Sequence, residues 1–89
     1  GAGEPMPLER ELAEVMEMLS THHGDTEDLI EKPFSRHLIK SLWEQHRLTD
    51  GLSAGTIDVK ATRALNSLVE AGYLEKLKRD SYLVLQWPS

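Results

Sequence analysis

The stretch Ala64-Leu-Asn-Ser-Leu-Val-Glu-Ala-Gly-Tyr-Leu74, continued by Glu75-Lys-Leu-Lys-Arg-Asp-Ser-Tyr-Leu-Val-Leu85, decides how this chain folds. Leu65, Leu68 and Val69 recur at helical spacing, so the first half reads as the end of a helix. Gly72 stands where such a helix needs a left-handed residue to stop. Beyond it the composition changes. Residues 73–77 and 82–87 are rich in strand-forming side chains, and Lys78-Arg-Asp-Ser81 joins them as a turn. Pairing Leu77 with Tyr82 places Leu74 opposite Leu85. Those two then share a face with Leu83 and Trp87 that closes a core. Arg-Asp is not a favoured two-residue turn, so the register rests on the apolar pattern alone.

Upstream, the same helix is predicted to begin at Ile57 or Asp58, with the Asp58 carboxylate capping free amides, and to end at Ala71. Ala61 lets a neighbour approach closely. Before it, Thr49-Asp-Gly-Leu-Ser-Ala-Gly55 reads as a loop. A second helix is predicted from Pro33 or Ser35 to Arg47, because Phe34, Leu38, Ile39, Leu42, Trp43 and His46 follow the helical period. Residues 25–31 read as a loop that tucks Leu29 or Ile30 into the core, an extended segment capping the sheet or a short helical turn being the alternatives. A first helix is predicted from Leu8 to about Thr21. Leu8, Leu12, Val15, Met16 and Leu19 form its apolar stripe, and Gly24 ends it or closes the following loop. Residues 1–7, with two glycines and two prolines, read as a flexible leader or linker, leaving residues 8–89 as one domain. The fold class is therefore α+β and mostly α, a three-helix bundle followed by a C-terminal β-hairpin. Leu65, Leu68, Val69, Leu74 and Leu85 should be buried with Leu12, Leu38 and Leu42.

Eighty-nine residues hold one modest core and leave little room for a large substrate cavity. Apolar residues at 39% and charged residues at 28% are globular proportions. The chain has no cysteine, which removes thiol chemistry and cysteine-based zinc sites and points to a reducing, intracellular compartment. No apolar run is long enough to span a membrane, and the first residues lack the pattern of a signal peptide.

A net charge of −5 argues against a strong polyanion binder unless the charges are segregated. They are. From Glu4 to Glu31 there are nine acidic residues and only Arg10 as a base; from Lys32 onward there are nine basic residues against six acidic. One side of the molecule should be acidic and another mildly basic.

In the order helix, helix, helix, hairpin, with the third helix stopping at Gly72 and running directly into two strands, the chain resembles winged-helix domains. The resemblance implies that the third helix lies in a nucleic-acid groove while the wing touches the backbone. It places Lys60, Arg63 and Ser67 on the exposed side of that helix, with Thr56 and Asn66 near its edges and Lys78 and Arg79 at the wing tip. Arg and Asn side chains suit guanine and adenine edges; cations on a protruding turn suit phosphates. The acidic first helix should then be turned away from this face. One departure stands out: the connection from Leu48 to Thr56 is longer than the turn of a tight helix-turn-helix.

The resemblance implies DNA or RNA binding within a larger replication, repair or transcription protein, or else a protein-interaction module. For the latter, Glu9, Glu11, Glu14 and Glu17 on the first helix would face a basic partner, although a solvated helix face explains them as simply. Asp58, Glu70, Glu75 and Asp80 lie near the basic residues and weaken their field. No metal site, cofactor or enzyme is expected. His22 and His23 are adjacent and diverge on a helix, His37 and His46 are nine residues apart, and Asp25 and Asp28 complete no ligand pattern. No nucleophile elbow, phosphate loop, dinucleotide fingerprint or carboxylate pair occurs. Phe34, Trp43 and Trp87 read as core or core edge.

Overall fold

Three apolar stripes and one half-buried hairpin need each other to exclude water, and they assemble in chain order. A computed structural model describes residues 8–25 and 32–88. The leader at 1–7 and the tucked Leu29 or Ile30 of the sequence reading lie outside the described residues. Helix α1 spans Arg10–Asp25, α2 Arg36–Gln45 and α3 Ala54–Ala71; strands β1 (Leu74–Lys78) and β2 (Ser81–Val84) form an antiparallel hairpin. The α+β, mostly helical layout with a terminal wing is as the sequence indicates.

Helix α1 buries Val15, Met16, Met18 and Leu19, while Leu8 and Leu12 pack partly exposed against the same core. The helix continues through Gly24 to Asp25 rather than stopping there. A glycine at φ < 0 fits a helical turn, and His22 and His23 favour the negative end of the helix dipole.

Phe34 was expected inside the second helix and is instead extended. Its N–H and C=O both bond Tyr82 at 2.8 Å, and the two rings lie 6.1 Å apart. This single rung extends the hairpin to a third strand position. Its physical reason is Ser35, whose extended backbone (φ −107°, ψ 171°) ends the β segment before α2 can begin. Ile39, Leu42 and Trp43 then face the core at i, i+3 and i+4, with Leu38 partly covered and His46 exposed.

Helix α3 starts at Ala54, three or four residues before the predicted Ile57 or Asp58, because the cap is Ser53, not Asp58. The Ser53 hydroxyl oxygen accepts the Thr56 N–H at 3.2 Å and satisfies one free amide of the first turn. Ala61, Ala64, Leu65, Leu68 and Ala71 are buried, the alanines letting neighbours approach. At the far end Gly72 takes φ 93°, and the N–H groups of Gly72 and Tyr73 close onto Val69 and Leu68.

The hairpin register corrects the sequence reading by one residue. Lys78 faces Ser81 as expected, but a bulge at Leu77 shifts every later pair, so Lys76 faces Tyr82 and Leu74 faces Val84. A one-residue slip exchanges the two faces of a strand. Tyr82 and Val84 therefore enter the core, whereas Leu85, expected there, is 50% exposed. Asp80 accommodates the turn with φ 60°, a left-handed conformation that Asp tolerates better than most residues.

Candidate nucleic-acid interface

The seven residues singled out from the sequence lie on two elements, α3 and the end of the hairpin. Along α3, helical geometry puts Thr56, Arg63 and Asn66 on one outward arc with Val59 and Glu70, and all five are exposed. Ser67 is half-buried at the margin of that arc. Thr56 is occupied at the cap, where its hydroxyl oxygen accepts from Ser53 Oγ at 2.9 Å. Lys78 and Arg79 are exposed at the end of the hairpin.

Lys60 is elsewhere. Its Nζ lies 3.5 Å from Glu11 Oε1 and 5.7 Å from the centre of the Trp43 ring, so it bridges α3 to the other two helices. Glu9 and Glu11 line a shallow concavity together with Lys60, Arg63 and Ser67. The N-terminal end of α1 therefore borders this face of α3 instead of turning away from it. The reason is packing: Leu12, one turn along α1, sits in the same concavity as Ala64, and the small alanine draws the helices together.

Arg36, which no local pattern singles out, ties the wing to the helices. Its Nη1 donates to Thr62 Oγ1 at 3.2 Å, and its Nε lies 3.8 Å from Asp58 Oδ1 and 3.6 Å from Asp80 Oδ1. The Nε itself is buried and makes no hydrogen bond. Lys40 Nζ donates to Asp58 Oδ1 at 2.7 Å. That hydrogen bond, reinforced by the charges of Arg36 and Lys40, holds the Asp58 carboxyl below the ordinary aspartate range despite partial desolvation. On the core side of the wing, burial and then the Asp80 charge push the Tyr82 hydroxyl upward.

These pairs divide the cations into two groups. Arg10, Arg36, Lys40, Arg47 and Lys60 each lie within 4 Å of a carboxylate. Lys32, Arg63, Lys76, Lys78 and Arg79 have no carboxylate partner among the described residues, and three of the five sit on the wing. Lys76 was missed in the sequence because a lysine in mid-strand reads as an ordinary solvated position. Arg36 was missed because its partners lie 22 and 44 positions away, beyond any local pattern.

Among the described residues no three histidine or carboxylate side chains converge as metal ligands, and no helix is long and apolar enough to cross a membrane. No family model matches the chain, nor does any curated protein or any solved structure.

Proposed function

We propose that the chain is a nucleic-acid-binding module of winged-helix type, most suited to DNA, working inside the cell as one part of a larger replication, repair or transcription protein. On this reading it binds and does not catalyse. The observation that supports it is the set of cations Arg63, Lys76, Lys78 and Arg79, which have no carboxylate partner among the described residues and leave their donors available, whereas Arg10, Arg36, Lys40, Arg47 and Lys60 are paired. Lys76, Lys78 and Arg79 contact phosphates from the wing; Arg63 and Asn66 offer bidentate donors to base edges from α3. Lys60, engaged with Glu11, contributes little.

A titration of short duplex DNA and matched RNA at two salt concentrations tests the reading. Binding that weakens as salt rises supports it, and absence of binding in low salt rejects it. A second reading, a protein-interaction winged helix, draws on Val59. This side chain is 50% exposed on the outward α3 arc, and an exposed apolar group there suits a protein partner.

A further inference from the structure

Two concavities of about 280 and 220 Å³ lie side by side between α1 and the connection from α2 to α3, and Glu14 and Leu48 line both. Together they form one groove. Met18 and Trp43, nearly buried, make its floor, and Leu48, 48% exposed, makes its wall. The α1 rim carries Glu11, Glu14 and Glu17 at three-residue intervals. Lys60 lines the same groove over the Trp43 ring and lies 3.5 Å from Glu11, and the exposed Arg10 lies 3.4 Å from Glu14, so the rim keeps its negative charge mainly at Glu14 and Glu17.

The long connection builds this groove. After α2 the chain reverses through Arg47 at φ 59°, and Leu48 N–H closes onto the Trp43 carbonyl at 2.9 Å. Glycine usually takes such a position; a residue with a side chain there costs about 1 kcal/mol. The strained turn leaves a leucine half in water, which does nothing for the isolated domain.

A matching piece occurs on the same chain. Lys76-Leu77-Lys78-Arg79 at the wing carries Leu77 on the bulge, 46% exposed, between cations that have no carboxylate partner among the described residues. An apolar side chain flanked by cations complements an apolar floor under a carboxylate rim. The two cannot meet within one molecule. Asp80 ties the wing turn to Arg36 at the start of α2, whereas the groove lies at the opposite end of that ten-residue helix, about 15 Å away.

We propose that the wing tip of one copy docks into the α1 groove of a second copy, with Leu77 against Leu48 and Trp43, and Lys78 and Arg79 against Glu14 and Glu17. The contact is heterologous, so each dimer keeps one free wing and one free groove and grows head to tail. One hairpin turn covers far less than the roughly 1,200–2,000 Å² of a stable interface, so association is weak and concentration-dependent. The inference does not rest on nucleic-acid binding. Reversing Glu14 and Glu17 disrupts self-association without touching the cations of that reading.

Sedimentation equilibrium of the full chain at about 1 mM in low salt is the test. The expected weight-average mass exceeds the 10.1 kDa of one copy and falls toward it as salt rises. Glu14→Lys with Glu17→Lys should give a monomer, and so should Lys78→Glu with Arg79→Glu. Mixing these two variants should restore association, because each reversed surface then meets its complement. Leu77→Ser should weaken assembly with no change in charge. A monomeric wild type, association indifferent to both reversals, or a mixture that stays monomeric would each overturn the proposal.

Discussion

Arg36 Nε at the start of α2 lies 3.6 Å from Asp80 Oδ1 in the wing turn, and this contact sets the angle of the wing against the helices. Arg36 also reaches Thr62 and Asp58 on α3, so one side chain joins three elements. Arg36→Ala should loosen the wing more than it destabilises the whole. The expected loss is about 1 kcal/mol, because the pairs are partly exposed and the Nε forms no hydrogen bond. Amide exchange should quicken at residues 78–81 while the α1 amides stay protected. Uniform acceleration across the domain would show that Arg36 supports the core instead.

The core predicts a larger cost at Leu68, whose side chain is fully buried between α3 and its neighbours. Leu68→Ala should lower unfolding stability by about 2–5 kcal/mol in denaturant titration. A loss under 1 kcal/mol would mean the bundle collapses around the gap.

Gly72 was legible because helix-to-strand transitions of this kind leave one residue with positive φ, and the structure gives it φ 93°. Gly72→Val should destabilise by about 1–2 kcal/mol or more, since a branched side chain clashes in that conformation. Gly72→Asn should cost less, and the order of the two melting temperatures checks the argument.

The helices and the wing could be read from the sequence because their signals are local: apolar stripes at 3.6-residue spacing, a glycine stop, alternating strand residues. What could not be read depends on contacts across the chain or on competition between local options. Ser53 and Asp58 were both able to cap α3. Asp58 is drawn sideways to Lys40 from 18 residues away, and Ser53 takes the role. The Leu77 bulge moved Leu85 out of the core and Val84 in, since Arg-Asp is too weak a turn signal to fix the register. Among the site residues, Thr56, Arg63, Asn66, Lys78 and Arg79 lie exposed. Lys60 does not, because Glu11 and Trp43 claim it from other helices.

Asp58 makes a pH prediction with a definite sign. Its carboxyl is held below the ordinary value of 3.8 chiefly by the hydrogen bond from Lys40. A depressed carboxyl stabilises the fold fully above its unfolded value, and that contribution fades as pH falls below 3.8 through the folded one. Wild type should therefore exceed Asp58→Asn in stability near neutrality, and the two should converge in acid. A difference that persists unchanged to the lowest pH would assign the effect to shape and not to charge.

The most direct test of the central claim is fluorescence anisotropy of a labelled short DNA duplex titrated with the chain across a series of salt concentrations. If Arg63, Lys76, Lys78 and Arg79 meet phosphates and bases as proposed, log affinity should fall with log salt at a slope of about −3. Lys78→Glu with Arg79→Glu should weaken every sequence alike, while Arg63→Ala should cost about 1–3 kcal/mol on the preferred sequence only. No binding in low salt, or binding that ignores all three substitutions, would contradict the account.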